Sequence, residues 1–202
     1  MLARDQLRAE KLRGGQVIGR DIIVLEETDS TNDVVHQMSS GDWPEGLCVF
    51  AEHQTAGRGQ RGNKWESVAR KGISFSILLQ PRLELAQSSR LTTWVAATIA
   101  ETLHDELHLA ATVRPPNDVY INERKIAGVL VEMRAQTGAP HIAVVGIGLN
   151  VHQAPSDFSD EIRERATSIA MVYRGRLDRN AVALALLRNL DRTYCELFAK
   201  QL

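Results

Sequence analysis

Leu91, Trp94, Val95, Ile99, Leu103 and Leu107 recur at three- and four-residue steps, the apolar stripe of a helix predicted over residues 86–107. A second stripe, Leu184, Leu187, Leu190, Tyr194, Leu197 and Phe198, predicts a helix over residues 178–200. Outside these two helices the apolar residues come in short runs. Residues 17–25, 47–52, 72–79 and 141–151 read as strands, and so do 119–121 and 129–133 around an Asn122-Glu123 turn. Thr28-Asp29-Ser30-Thr31-Asn32 offers a row of N-cap side chains and predicts a short helix stopped by Gly41. Residues 53–70 fit neither period: they form a polar, glycine-bearing loop too long for a mere connector. The charged stretch 1–15 ends in Gly14-Gly15 and reads as a frayed entry segment, so a single domain is placed at 17–202 with 1–16 as its entry. Strands in hairpin-like spacing among helices imply an α+β fold, a mixed sheet with flanking helices.

Composition narrows the class. A chain of 202 residues, 44% apolar and 24% charged, can bury a core without disulfides or structural metal. Its formal net charge of −1 gives no field that would draw nucleic acid or an anionic membrane, so an anion site must be assembled locally. Cys48 and Cys195 stand far apart in apolar stretches and read as buried, reduced thiols. The N-terminus has no apolar signal core, and no run reaches the ~18 apolar residues of a membrane span. The expected compartment is the cytoplasm.

Candidate chemistry is densest in AEHQTAGRGQRGNKWES, residues 51–67. Gly57, Gly59 and Gly62 let backbone approach a ligand, and Arg58, Arg61 and Lys64 add cations, a cradle for phosphate or carboxylate. The segment contains a literal GxGxxG, but no helical pattern opens after it, as dinucleotide binding requires. Pro116-Asn117-Asp118 and Lys125 flank a hairpin that could bring carboxylate, amide and ammonium to one sheet end. Gly146-Ile147-Gly148-Leu149-Asn150 is a strand whose glycines leave room for a ligand. His104 and His108 lie four apart on the long helix and read as an exposed polar face, not a metal pair.

Taken in order, these segments resemble the catalytic domain of biotin–protein ligases: Ser30-Thr31-Asn32, then AGRGQRGNKW, then PNDVYINERKIAGVLVE, then GIGLN, then Ala166-Thr167-Ser168 before a C-terminal helix. The resemblance covers residues 17–198 and implies the mixed α/β sheet of class II aminoacyl-tRNA synthetases. It implies an ATP-dependent ligase that forms biotinyl-AMP and transfers biotin to a lysine of a biotin carboxyl carrier protein or domain. The alternatives of the same fold are a non-catalytic biotin or adenylate binder and a lipoate or octanoate ligase or transferase. ATP, Mg2+ and biotin as substrate are the implied small molecules. The implied partner is a biotin-dependent carboxylase, with the chain a monomer or homodimer.

By the same resemblance, Lys125 and Arg58 are catalytic. Biotin is met by Ser30, Thr31, Asn32, Gln54, Gly57, Arg58, Gly59, Gln60, Lys125 and Gly128. The nucleotide is met by Arg61, Trp65, Asn117, Lys125 and Asn150, with Asp118 toward magnesium. Gln60 and Asn63 stand where the family's loop usually has arginines, and Arg114-Pro115 where Lys-Trp usually precedes PND. Losing two cations implies weaker retention of the adenylate. The family's DNA-binding domain and small β domain are not seen in the sequence, so no transcriptional role is expected.

Overall fold

The computed structural model describes residues 5–137 and 140–199. Its strands are β1 (Ile22–Leu25), β2 (Cys48–Ala51), β3 (Gly72–Leu79), β4 (Thr112–Arg114), β5 (Asp118–Ile121), β6 (Arg124–Arg134) and β7 (Ile142–Asn150). They form one sheet in the order β1-β2-β3-β7-β6-β5-β4. β1 runs parallel to β2, and every other neighbouring pair is antiparallel. The helices are α1 (Ala9–Leu12), α2 (Thr31–Met38), α3 (Ser88–Leu107), α4 (Ile169–Val172) and α5 (Arg179–Tyr194).

The two-residue period of a strand divides the sheet into faces with different work. Phe50, Phe75, Ile77, Val145 and Ile147 join Leu91, Val95 and Ile99 of α3 and Leu186 and Leu190 of α5 in the main core. Their neighbours Val49, Leu78, Ile142 and Val144 turn to the other face and pack a second cluster around Val35 of α2. Further along that second face the apolar residues give way to Ser74, Ser76, Gly146 and Gly148, and there the sheet carries a cavity instead of a helix.

Several sequence expectations change. Residues 17–20 are turn, so β1 is only four residues long. β4 had no sequence signal and is an edge strand of three residues. The entry segment is not frayed over its described part. Leu7 and Leu12 are buried in the main core, and Asp5 accepts from Arg179 N and Nε. Asp191 of α5 accepts from the backbone N–H groups of Gln16, Val17 and Ile18 at 2.7–2.8 Å, which fixes the Gly14-Gly15 turn. The last helix passes into a π turn at Cys195–Ala199, and Leu197 is 62% exposed. Leu187, Leu190 and Tyr194 of the predicted stripe are buried, Leu184 and Phe198 pack against the core, and Val182, Ala183 and Leu186 widen the face. Residue 200, the predicted end, lies outside the described residues.

α3 matches its prediction closely and ends where His108 adopts a left-handed conformation. Burial pushes the Cys48 thiol far above its ordinary range, as expected of a structural cysteine. Among the described residues no helix is long and apolar enough to cross a membrane.

Candidate functional site

The cavity of about 290 Å³ on the second sheet face has its floor at the cross-strand pair Gly128↔Gly148 and at Gly146. These glycines are required by what lies on them. A Cβ at Gly146 would overlap the carboxamide of Asn32, and one at Gly148 would overlap the indole of Trp65. At Gly128 it would meet Lys125 Nζ and the Trp65 ring at 3.3 Å. The expectation that glycines in this strand leave room is therefore met, though side chains of the chain itself occupy part of that room.

The 53–70 loop is more ordered than its composition suggests. Trp65 N donates to Gly57 O at 2.9 Å, Gly59 N to Asn63 O at 2.7 Å, and Arg58 bridges Lys64, so residues 57–65 form a small hairpin. Arg61 and Gly62 take positive φ at its tip. Gly57 is glycine because the carbonyl of Trp65 would stand 2.6 Å from a Cβ. The N–H of Gly59 is spent within the hairpin, so that glycine serves close chain approach and not an anion cradle. No helix follows, and the dinucleotide reading of GxGxxG falls. The hairpin leans over the floor, with Arg58, Gly59, Gln60, Arg61, Asn63, Lys64 and Trp65 lining the cavity and Gly57 facing an adjoining concavity.

α2 supplies the inner end of the cavity. The strand extension 28–29 runs beside 53–56, with Thr28 N donating to His53 O and Thr55 N to Thr28 O, which brings the start of α2 at Thr31 to the Gln54 side chain. Ser30, Thr31 and Asn32 are each only 3% exposed. Thr31 N and Oγ1 lie 2.8 and 3.1 Å from Gln54 Oε1. Thr31 Oγ1 is 2.7 Å from Ser76 Oγ, which donates to Asn32 Oδ1 at 2.5 Å. Ser76 was not singled out from the sequence. Its signal was a pair of serines two apart in an otherwise apolar strand, the mark of a polar face.

The outer end is the β5–β6 hairpin. Asn122 and Glu123 both have positive φ, which suits a two-residue turn whose twist matches the strands. Register slips between Val119 and Tyr120, where Ala127 pairs Val119 and Lys125 pairs Tyr120. This β-bulge leaves Ile126 and Ala127 both in the core and returns Lys125 to the face of Gly128. Lys125 Nζ is 2.7 Å from Asp118 Oδ1 and 5.9 Å from the Trp65 ring. Its backbone is strapped by the ATS stretch, with Lys125 N donating to Arg165 O and Thr167 N to Lys125 O.

Asn150 departs from its expected place. It does not line the cavity, and its amide is held by the protein: Nδ2 donates to Thr167 O at 3.0 Å and Oδ1 accepts from Gln153 Nε2 at 3.0 Å. It splints β7 to the ATS stretch. Asn117, which does line the cavity, exchanges bonds with Val129. Arg114 turns away from the cavity, paired with Glu123 and 4.1 Å over Tyr120. Asp118, expected to meet magnesium, is engaged by Lys125, and among the described residues no group of three or more His, Cys, Asp or Glu could hold a metal.

Residues 24–150 match the model of the biotin/lipoate A/B protein ligase family. The chain is 32% identical to the bifunctional ligase/repressor BirA of Bacillus subtilis, over 89% of this chain and 55% of that relative. It is 34% identical to the biotin--[acetyl-CoA-carboxylase] ligase of Mycobacterium tuberculosis, over 95% of this chain and 73% of that one. Among solved structures it is similar to the biotin protein ligase of Aquifex aeolicus in complex with biotin and ATP. That likeness has a TM-score of 0.74 at 31% identity, over 90% of this chain and 73% of the other. The chain thus spans little more than half the length of the BirA relatives it matches.

Proposed function

We propose that this chain, which belongs to the biotin/lipoate A/B protein ligase family, uses ATP to activate biotin and passes it to a lysine of a carrier protein. The observation that carries this reading is convergence. Segments spread from Ser30 to Gly148, each quoted for its motif, line one cavity over a glycine floor.

In the first step a biotin carboxylate oxygen attacks the α-phosphorus of ATP. The new P–O bond gives biotinyl-AMP, and the bond to the β-phosphate breaks to release pyrophosphate. Negative charge grows on the α-phosphoryl oxygens, where preorganised cations lower the barrier most. Lys125 is the candidate for that work, because the bulge aims its ammonium across the floor and Asp118 holds it there. Arg61 and Lys64 lean over the same space from the hairpin. The inner end, with Thr31, Asn32 and Gln54, offers alternating donors and acceptors that suit the ureido ring of biotin.

In the second step the carrier's lysine amine attacks the acyl carbon, an amide forms and AMP leaves. The relatives named as ligases of acetyl-CoA carboxylase make its biotin carboxyl carrier the expected acceptor. Magnesium, where the reaction uses it, would be met by Asp118, which lines the cavity and whose Oδ1, 2.7 Å from Lys125 Nζ, accepts no hydrogen bond. Gln60 lines the cavity without a charge, which leaves Arg58, Arg61 and Lys64 as the hairpin's cations beside the adenylate.

The test is ATP–pyrophosphate exchange with biotin, lipoate and octanoate supplied in parallel. Exchange with biotin alone is the expected result. Exchange driven by lipoate or octanoate instead would move the substrate within the family, and none with any acid would leave a binding protein.

A further inference from the structure

Glu132, which closes the PNDVYINERKIAGVLVE segment but received no role from the sequence, gathers donors from two other elements. It stands on β6 four residues beyond Gly128 and therefore on the same face of the sheet. One of its oxygens, Oε2, lies 2.7 Å from Asn32 Nδ2, 3.0 Å from Arg58 Nη2 and 3.3 Å from His36 Nε2. The other arm of Arg58 reaches Asp33 Oδ1 at 2.7 Å. Helix α2, the 57–65 hairpin and β6 are joined through this carboxylate.

The join has a direction. An ionised carboxylate accepts and cannot donate, so Asn32 must turn its nitrogen to Glu132 and its oxygen to Ser76. The Ser76 hydroxyl donates to that oxygen and keeps lone pairs toward Thr31 Oγ1. Thr31 in turn faces Gln54 Oε1 with its N–H, which leaves Gln54 Nε2 as the end turned away from Thr31. Asn32, Ser76, Thr31 and Gln54 are all 9% exposed or less, so a partner turned the wrong way costs a buried hydrogen bond.

We propose that Glu132 is a positioning residue. It sets the donor and acceptor order of the Asn32–Ser76–Thr31 hydroxyl array, and it tethers the hairpin through Arg58. Its effect on substrate rests on the biotin-ligase reading above; its effect on the hairpin does not.

Glu132→Gln tests both, since it keeps the shape, removes the charge and lets either end of an amide face Asn32. In biotin-dependent pyrophosphate exchange, the KM for biotin should rise roughly tenfold while kcat and the KM for ATP stay within about twofold, the pattern of lost ground-state positioning. In an Asn32→Ala background the same change should add less than about twofold, because the array is already cut. In the ligand-free protein, amide hydrogen exchange over residues 57–65 should quicken several-fold in Glu132→Gln, with the sheet unaffected. A folded, active Glu132→Gln with unaltered biotin KM overturns the positioning role, as does a loss confined to kcat. Unaltered protection of 57–65 overturns the tether. A wild-type chain with no biotin-dependent exchange would fell the substrate reading alone, and hydrogen exchange would still decide the tether.

Discussion

The indole of Trp65 packs against the backbone of Gly148, so closely that a Cβ on residue 148 would overlap Cε2, Cζ2 and Nε1 of the ring. Gly128, opposite Gly148 in the sheet, bears on the same ring. Trp65 thus closes the ligand-free floor, and a nucleotide base stacking on it meets the ring from the side away from the sheet or displaces it. Gly148→Ala should therefore expel the indole while leaving the sheet paired. The expected outcome is a red-shifted emission of Trp65, read with Trp43 and Trp94 replaced by phenylalanine, and adenylate formation weakened roughly tenfold. Emission unchanged from the parent would show that the ring does not rest on the glycines.

Lys125→Ala removes the ammonium that faces the cavity across from the hairpin cations. Loss of one preorganised charge at the reacting centre costs about 10²–10³-fold in rate. Biotin-dependent exchange should fall by that order while thermal melting stays near the parent's, because the lysine is partly exposed and packs little apolar surface. Retention of most of the exchange would return Lys125 to the role of a solvated hairpin lysine.

Arg179 is 1% exposed and bonded to Glu52, itself buried, and to Asp5. Arg179→Met strands the carboxylate of Glu52 inside the protein, and breaking a buried pair from one side costs about 3–5 kcal/mol. Urea unfolding should show that loss, and the double variant Arg179→Met/Glu52→Gln should recover part of it. A loss under about 1 kcal/mol would mean that water reaches Glu52.

Lys71 closes the far side of the 53–70 loop by placing Nζ 2.6 Å from both oxygens of Asp157. The hydrogen bonds from Lys71 hold the Asp157 carboxyl below its ordinary range, against the smaller opposing effect of burial. A depressed carboxyl pKa stabilises the fold above the unfolded value of about 4, and that share is lost as pH falls through the lower folded value. Lys71→Met should flatten the fall in stability below about pH 4. Denaturant midpoints between neutral and acid pH would measure it, and parallel profiles for parent and variant would contradict the assignment.

The sequence by itself determined the longer elements and the cavity's raw material, but not the three-residue edge strand β4 or the short helix α1. Helical and strand periods are local properties, so the stripes of α3 and α5 and the runs of β2, β3 and β7 were legible, with errors at their ends. The motif residues were legible as well, because glycines, amides and cations in a long loop are costly without a reason. What each one does depended on partners that no local period encodes. Strict alternation would put Lys125 and Gly128, three apart, on opposite faces, and only the bulge beside Ile126 brings them together. Asn150 looked like a ligand group until Thr167 and Gln153 claimed both ends of its amide. Glu132 closes the PNDVYINERKIAGVLVE segment without a role that the sequence could give it, because its partners are Asn32, a hundred positions earlier, and Arg58, both at one of its oxygens. The entry segment looked loose because the groups that hold it, Arg179 and Asp191, lie more than 170 positions away. A hydrogen bond or ion pair is decided by where two groups meet in space, and that meeting is set by the packing of the whole sheet between its helices.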